Sequence, residues 1–204
     1  MRGGDIGRLL TALLSHADPL LVPYLALGAF AGIRRAELLR LQWSDITGQP
    51  AYIRVRGEIA KTKSKRIIPV SANLDDWLRP WYRPTGKVIP DNVQWKLRHL
   101  IKAACEKAGV PWKLNALRHS FASYRLAQLG DAARTALEMG NSPNVIFKHY
   151  RELVTAEQSA AYWSIKPNVE SKIIPMAEAA ASLVRVGTSA SAAISRFSES
   201  SCGN

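Results

Sequence analysis

The chain has 204 residues, a length that suits one sizeable domain with its own core and is short for two. It carries 28 Lys and Arg against 16 Asp and Glu, a formal net charge of +12. The excess lies before residue 167, because residues 167–204 hold three residues of each sign. A basic body of this kind favours a polyanionic partner, with nucleic acid ahead of an anionic membrane surface.

The composition also argues against a secreted, zinc-binding or membrane protein. The two cysteines, Cys105 and Cys202, match no zinc spacing and predict a buried thiol and a tail thiol rather than a disulfide. The most apolar stretch, residues 20–32, is too short to span a bilayer and is typical of a core helix. The N-terminus lacks the apolar region of a signal peptide. We therefore expect a soluble, cytoplasmic protein.

The first half of the chain changes from a helical to an alternating pattern. Helices are predicted for residues 5–14, 19–32, 35–43 and 74–81. Asp5 is the expected N-cap of the first of them. Residues 51–57 and 65–70 alternate apolar and basic side chains on either side of a charged loop, which predicts a β-hairpin. Residues 86–89 are a candidate for a third, short strand.

The second half has a helical pattern throughout. Helices are predicted for residues 92–108, 115–129, 131–139, 143 onward and 155–163. Asp131 and Gly140 are expected to cap the third of these, and Thr155 forms a capping box with Gln158. After residue 167 the composition drifts to Ala, Ser and Gly, so residues 186–204 are expected to be mostly disordered. The predicted fold class is α+β, mostly helical with a small antiparallel β-sheet.

Two segments in the first half carry candidate catalytic side chains. Arg34 follows an apolar helix, and a buried arginine needs a partner or a ligand because an unpaired buried charge is costly. The plain alternative is a surface ion pair between Arg34 and Glu37, of little value to stability. Lys61 opens the hairpin turn, where its ammonium group could give a proton to a departing oxyanion. The alternative there is a solvated run of charges that grips phosphates without chemistry.

Positions in the second half extend this set. The guanidinium group of Arg118 is a planar fork that fits two phosphate oxygens. His119 either reaches the same site or is packed and stabilises its helix. Tyr150 is flanked by basic residues, Lys148 among them. Such neighbours suit a tyrosine that faces DNA better than a tyrosine that packs in a core.

Four segments, in this order, resemble the motifs of the tyrosine recombinase (phage integrase) catalytic domain over roughly residues 5–166. They are GIRRAEL at 32–38 with LQWSDI at 41–46, KT at 61–62 with RIIPV at 66–70, NALRHSFA at 115–122, and GN at 140–141 with Tyr150. Asn115 stands where this family usually has His, and Asn141 where it usually has His or Trp. Asparagine can donate a hydrogen bond but cannot be cationic, so each change is expected to cost about 1 kcal/mol, or several-fold in rate.

The resemblance implies a site-specific recombinase or integrase that needs no metal or other cofactor. Tyr150 would attack the scissile phosphate of double-stranded DNA to give a 3′-phosphotyrosyl intermediate. Arg34 and Arg118 would stabilise the charge on the phosphate, and Lys61 would protonate the leaving 5′-oxygen. The residues assigned to catalysis are Arg34, Lys61, Asn115, Arg118, Asn141 and Tyr150, supported by Glu37 and His119. The residues expected to contact DNA are Arg35, Arg54, Arg56, Lys63, Lys65, Arg66 and Lys148.

The resemblance also suggests how the chain is organised. Residues 1–166 are expected to form the catalytic domain, and residues 167–204 a tail that is partly disordered or exchanged between subunits of a tetramer on DNA. The N-terminal core-binding domain of the family is expected to be absent. That absence and the two asparagines keep an inactive DNA-binding remnant as an alternative, with a type IB topoisomerase-like enzyme as a weaker one. The apolar face of residues 160–165 either meets a neighbouring subunit or covers the chain's own core.

Overall fold

The computed structural model describes residues 2–14, 19–47, 51–60, 65–150 and 154–167. At residues 13, 14, 149 and 150 it describes the backbone only. Within these ranges the chain is mostly helical and contains one small antiparallel sheet, which confirms the predicted α+β class.

The chain begins with three helices. They are α1 (Gly3–Leu14), α2 (Val22–Phe30, after a 3₁₀ turn at Pro19–Leu21) and α3 (Arg35–Leu38). Asp5 lies inside the first turn of α1 and accepts a hydrogen bond from the Arg2 amide at 3.0 Å, so its prediction as the N-cap is wrong. The predicted helix at 35–43 is also too long. Its backbone turns away after Leu38, because the Leu41 carbonyl accepts from the Val88 amide at 2.9 Å.

The sheet has three antiparallel strands. They are β1 (Ile46–Thr47), β2 (Tyr52–Val55) and β3 (Arg66–Pro69), in the order β1-β2-β3. Ile53 of β2 lies opposite Ile68 of β3, which confirms the predicted hairpin. The predicted strand at 86–89 is wrong, because that segment makes an isolated bridge between Gln42 and Lys87, and the third strand is β1.

Helices form the rest of the described chain. They are α4 (Ala72–Leu78), α5 (Asp91–Gln94), α6 (Leu97–Ala108), α7 (Ala116–Leu129), α8 (Ala132–Met139), α9 (Pro143–Tyr150) and α10 (Ala156–Trp163). The helix predicted at 92–108 is divided by a turn at residues 95–96. Asp131 caps α8, and Thr155 opens α10 in a capping box, both as predicted.

The core is built around α2, whose nine residues are all buried. Helix α7 lies directly on it, because Gly28 and Gly32 present no side chain. A Cβ atom at Gly28 would lie 2.7 Å from Leu117, and one at Gly32 would overlap the ring of Phe121. Gly32 also has a φ of +61°, which residues with a side chain rarely adopt. Arg118, which follows Leu117, is therefore held close to the end of α2.

Helix α10 covers the core of its own chain. Tyr162 is fully buried, stacks on Tyr124 with ring centroids 4.0 Å apart, and donates its hydroxyl hydrogen to the Ala29 carbonyl at 2.5 Å. Burial raises the pKa of this hydroxyl well above its ordinary value. Trp163 meets the ring of Phe121 edge-on. The alternative in which this helix covers its own core is therefore confirmed for Tyr162 and Trp163.

Two further predictions concern the cysteines and the membrane. Cys105 is buried with a free thiol, as predicted, and burial raises the pKa of that thiol. Cys202 and the disorder predicted for residues 186–204 lie outside the described residues. Of the helices in the described part of the chain, none is long and apolar enough to cross a membrane.

Candidate active site

The carbonyl end of α8 gathers two arginines from distant parts of the chain. The last carbonyl groups of a helix have no partner within the helix and carry a partial negative charge. Here the Met139 carbonyl accepts from Arg118 Nη2 at 2.6 Å, and the Gly140 carbonyl accepts from Arg34 Nη2 at 2.6 Å. Gly140 ends the helix with a φ of +64°, the usual conformation of a glycine C-cap. The guanidinium groups of Arg34 and Arg118 therefore lie next to each other at the C-terminal end of α8.

Asn141 joins the two arginines through a single atom. Its Oδ1 atom accepts from Arg34 Nη2 at 2.9 Å and from Arg118 Nη2 at 3.0 Å. Guanidinium groups only donate hydrogen bonds, so the oxygen of the amide must face them and the amide nitrogen must face elsewhere. The structure thus brings together three of the residues assigned from the sequence. In it, Asn141 accepts from the arginines, a contact that the sequence did not predict.

The start of α7 supplies a further contact to this site. Arg118 Nη1 donates to the carbonyl of Gly32, two residues before Arg34. The close packing of α7 on α2 through Gly28 and Gly32 places the two segments at this distance. The two terminal nitrogen atoms of Arg118 are therefore each hydrogen-bonded to a backbone carbonyl group, Nη1 to that of Gly32 and Nη2 to that of Met139.

Glu37 is the buried anion of the site. Its side chain is 0% exposed and accepts from Arg34 Nη1 at 3.1 Å, and from Arg66 Nη1 and Nη2 at 3.1 and 2.6 Å. It also accepts from the Arg34 amide at 3.0 Å. Burial alone raises the pKa of this carboxyl, but the hydrogen bonds and charges of Arg66 and Arg34 outweigh it, so the pKa is lowered. The alternative of a surface ion pair is wrong.

Arg66 does not lie where the sequence placed it. It was expected to contact DNA, but its side chain is only 7% exposed, and its Nε atom donates to the Glu138 carbonyl at 2.9 Å. Strand parity explains the error. Side chains two residues apart in a strand share a face, so Arg66 points inward with the buried Ile68, whereas Ile67 is exposed. That alternation was present in the sequence.

The other basic residues of the hairpin differ from one another. Arg56 turns back onto Asp45, with its Nε atom 2.8 Å from Oδ1, and the pair ties the end of β2 to the segment before β1. Its side chain is 35% exposed, so its expected contact with DNA would compete with this pair. Arg54 and Lys65 are exposed and stay candidates for DNA contact. Lys61 and Lys63 lie outside the described residues.

Three more of the expected residues are exposed. Arg35 and Lys148 are accessible, as a contact with DNA requires. His119 is exposed too, so the expectation that it is packed is wrong, whereas a helix-stabilising role stays a prediction. These positions agree with the expected roles without testing them.

Asn115 precedes α7 in the left-handed conformation, with φ 57°, and its side chain is exposed. Together with Arg34 and Arg118 it lines a cavity of about 670 Å³ with a mainly apolar wall. Arg98 and Lys102 of α6 line the same cavity. The sequence reasoning missed these two cations, although their spacing of four residues puts them on one face of a helix.

Tyr150 is the last residue of α9, and only its backbone is described. Helix α9 begins two residues after Asn141, and Ile146 anchors it in a buried cluster with Met139 and Phe121. The helix that ends at the expected nucleophile therefore starts at the turn that holds the arginines. Among the described residues, no group of three or more His, Cys, Asp or Glu could hold a metal ion.

The sequence of this chain is similar to those of known proteins. A family model described as the phage integrase family matches residues 8–156. The tyrosine recombinase XerC of Xanthomonas axonopodis pv. citri (strain 306) is 26% identical over 154 residues, covering 70% of this chain and 50% of the relative. XerC of Xanthomonas campestris pv. campestris (strain B100) is 27% identical over 154 residues, covering 70% of this chain and 47% of the relative. The chain thus spans about half the length of the curated relatives it matches.

A solved structure shares the fold. The crystal structure of XerA recombinase superposes with a TM-score of 0.61 at 22% sequence identity, and the match covers 80% of this chain and 64% of that one.

Proposed function

The chain belongs to the phage integrase family, and from this premise we propose that it is a site-specific DNA recombinase that cuts and rejoins DNA through Tyr150. One observation carries the proposal: Arg34 and Arg118 converge on the Asn141 oxygen, at the turn that leads into the helix ending at Tyr150. Two cations held side by side suit a phosphodiester, whose single negative charge is shared by two oxygens. The XerC relatives are named as tyrosine recombinases, which supports the same reading.

In the proposed reaction the Tyr150 oxygen attacks phosphorus and the bond from phosphorus to the 5′-oxygen breaks. The product is a 3′-phosphotyrosine and a free 5′-hydroxyl. The tyrosine hydroxyl loses its proton and the leaving oxygen gains one, so the step consumes no energy source or cofactor. Attack by the 5′-hydroxyl of a second strand reverses these steps and exchanges the strands.

The arginines are proposed to stabilise the negative charge that builds up on the phosphate. Both guanidinium groups are bound on one side by carbonyl groups and the Asn141 oxygen, so they need not reorganise during the reaction. Preorganised donors of this kind contribute about 10²–10³ in rate each. Asn115, which lines the cavity together with both arginines, is proposed to donate a further hydrogen bond to the phosphate.

The test of the nucleophile is a covalent adduct. Duplexes that the protein retains from a random-sequence pool supply a binding site, and a nick placed near the scissile position traps the phosphotyrosine, which shifts the protein on a denaturing gel. The parent chain should form the adduct and Tyr150→Phe should form none while still binding the duplex. Tyr82→Phe is the matched control, because Tyr82 is an exposed tyrosine bonded to Asp75, and its adduct yield should equal the parent's.

Two outcomes would overturn the proposal. A parent chain that binds the duplex but forms no adduct would identify an inactive DNA-binding remnant. An undiminished adduct from Tyr150→Phe would remove the nucleophile. Tyr162 is a poor substitute in that case, because its hydroxyl is fully buried and bonded to the Ala29 carbonyl.

Lys61 is proposed as the general acid that protonates the leaving 5′-oxygen. Lys61→Ala should slow cleavage of an ordinary phosphodiester. A substrate with sulfur at the 5′-bridging position should restore the rate, since a thiolate leaves without a proton. Lys65→Ala, four residues along the chain, is the control and should show no such restoration. Equal loss on both substrates for Lys61→Ala would remove Lys61 from this role.

A further inference from the structure

Arg66 shares Glu37 with Arg34, yet only 7% of its own side chain is exposed. We propose that Arg66 is a positioning residue, which sets the orientation of Arg34 by sharing the buried carboxylate of Glu37. The inference rests on the proposed function, because it assigns a role in the same reaction. It also replaces the DNA contact that the sequence suggested for this residue.

Each nitrogen atom of the Arg66 guanidinium group donates a hydrogen bond within the protein. Its Nη1 and Nη2 atoms donate to the two carboxylate oxygens of Glu37, at 3.1 and 2.6 Å, and its Nε atom donates to the Glu138 carbonyl at 2.9 Å. The side chain is 7% exposed. All three nitrogen atoms are thus engaged within the protein, and DNA at the surface would find the group already bound and covered.

The sharing of Glu37 determines what Arg34 can do. A carboxylate that accepted only from Arg34 would take a two-point grip on its fork, the favoured geometry of an arginine–carboxylate pair. Because Arg66 takes that grip, Arg34 makes a single side-chain bond to Glu37, through Nη1 at 3.1 Å. Its Nη2 atom is then left for the Gly140 carbonyl and the Asn141 oxygen. Arg66 therefore keeps Arg34 beside Arg118.

Gly140 adds an independent sign of this coupling. A Cβ atom there would lie 3.2 Å from Arg66 Nη1 and 3.3 Å from Arg34 Nη1, so both guanidinium groups lie close to the turn that carries Asn141. Arg66 is also the first residue of β3. Its side chain thus connects this strand, the buried Glu37 and the end of α8.

The experiment compares Arg66→Met with Arg125→Met in the full chain. Arg125 is a matched control, because it grips the buried Glu138 with Nε and Nη2, both at 2.8 Å, and is 12% exposed, but contacts neither catalytic arginine. Both variants are assayed at a temperature where circular dichroism shows them folded. The readouts are the single-turnover rate of adduct formation at saturating nicked duplex, and the salt dependence of DNA binding.

Arg66→Met should lower the single-turnover rate by about tenfold or more, as expected when a preorganised donor is misplaced, with no change in the salt slope. Arg125→Met should leave the rate within about twofold of the parent. Arg66→Lys should fall between the parent and Arg66→Met, since an ammonium group keeps the charge but lacks the planar fork that binds both carboxylate oxygens. Adding Arg66→Met to Glu37→Gln should cost little more than Glu37→Gln alone, because the two residues act as a unit.

Three results would overturn the inference. A salt slope lower by about 1 with an unchanged saturating rate would make Arg66 a phosphate contact. An equal loss of rate in Arg66→Met and Arg125→Met would reduce Arg66 to a general support of the fold. If Arg66→Met does not fold, an Arg66→Lys variant that is as fast as the parent would contradict the inference. A parent chain without adduct would instead overturn the proposed function itself, and this inference with it.

Discussion

Two buried glutamates in this molecule are each bound by an arginine in the same way, but they differ in their further contacts. Glu37 is 0% exposed and Glu138 is 5% exposed, and each is gripped by an arginine through both carboxylate oxygens. Glu138 and Arg125 form a pair that links α8 to α7. Glu37 and Arg66 form a similar pair, but Glu37 also accepts from Arg34, which reaches the carbonyl end of α8.

The difference shows that a buried ion pair is not by itself a sign of function. Desolvation offsets much of the attraction in any such pair, so both pairs contribute modestly to stability while intact. Either becomes costly when one partner is removed, because a charge is then left buried and alone. What separates them is the identity of the third partner. For Glu138 it is the exposed Arg134, 3.8 Å away. For Glu37 it is Arg34, which is 17% exposed and also binds the Gly140 carbonyl and the Asn141 oxygen.

The two pairs meet on one turn of α8. The side chain of Glu138 binds Arg125, whereas its carbonyl accepts from Arg66 at 2.9 Å. The next carbonyl groups, of Met139 and Gly140, bind Arg118 and Arg34. The end of α8 therefore both pairs with α7 through Glu138 and positions the arginines of the candidate site through its carbonyl groups.

The largest contrast is expected from neutralising each glutamate. Glu37→Gln and Glu138→Gln should each destabilise the fold by about 3–5 kcal/mol, because each leaves a buried arginine unpaired. Glu37→Gln should also lower the single-turnover rate of adduct formation by about 100-fold, as removal of a preorganised donor does. Glu138→Gln should leave that rate within about threefold of the parent. Urea denaturation and the nicked-duplex assay measure the two quantities.

Equal loss of rate in both glutamine variants would break the comparison. The site would then depend on the rigidity of α8 as a whole rather than on the path from Glu37 to Arg34. Assays at a temperature well below both melting transitions keep loss of fold out of the result.

A second, smaller effect is expected at Asn141, where the network reaches both arginines. Asn141→Ala removes the oxygen that accepts from them, at a cost of about 1.5–3 kcal/mol for bonds to charged groups, or at least about tenfold in rate. Asn141→Asp keeps an acceptor, so its rate at saturating DNA should exceed that of the alanine variant. Its added negative charge should weaken DNA binding. An alanine variant as fast as the parent would show that the arginines do not need this bridge.

The sequence was enough to predict which residues form much of the site, but not how some of their side chains are oriented. The resemblance to the tyrosine recombinase motifs was enough to assign Arg34, Arg118 and Asn141 to one site, because the four motifs occur here in the family's order. The acceptor role of Asn141 could not be read, since the direction of an amide depends on neighbours brought in by the fold. Arg66 could have been placed inward by strand parity with Ile68, but the surrounding cations suggested a surface.

The errors in the fold have a similar cause. The segment 35–43 has a helical pattern, but the helix ends at Leu38 because the backbone beyond it bonds to the segment near Val88. Such long-range hydrogen bonds override local propensity and leave no trace in a local pattern. By contrast, the caps at Asp131 and Thr155 are local interactions, and both were predicted correctly.

A third prediction uses the lowered pKa of Glu37. A carboxyl whose pKa is lower in the folded state stabilises the fold fully above its unfolded pKa, and this contribution is lost as the pH falls through the folded pKa. The parent should therefore be more stable than Glu37→Gln at pH 7, and the gap should narrow as the pH drops below about 4. Asp5 and Glu157 also have lowered pKa values, but they titrate in both proteins and cancel in the difference. A gap that is constant down to pH 3 would contradict the lowered pKa.

The smallest effect is expected at Lys65, the exposed neighbour of Arg66 in the chain. Lys65→Ala should reduce the salt slope of DNA binding by about 1 and leave the single-turnover rate at saturating DNA unchanged. Lys65, just before β3, would then contact DNA, whereas Arg66, the first residue of β3, would support the site. If the slope stays at the parent value, Lys65 does not touch a phosphate.

The most direct test of the central claim asks whether the arginines at the end of α8 act on the charge of the phosphate. The measurement is the adduct rate of the parent and of Arg118→Ala, on nicked duplexes that carry either a phosphodiester or an uncharged methylphosphonate at the scissile position. Arg118→Ala should lose about 100-fold or more on the phosphodiester, and less than about tenfold on the methylphosphonate, which has no negative charge to stabilise. An equal loss on both substrates would contradict the account.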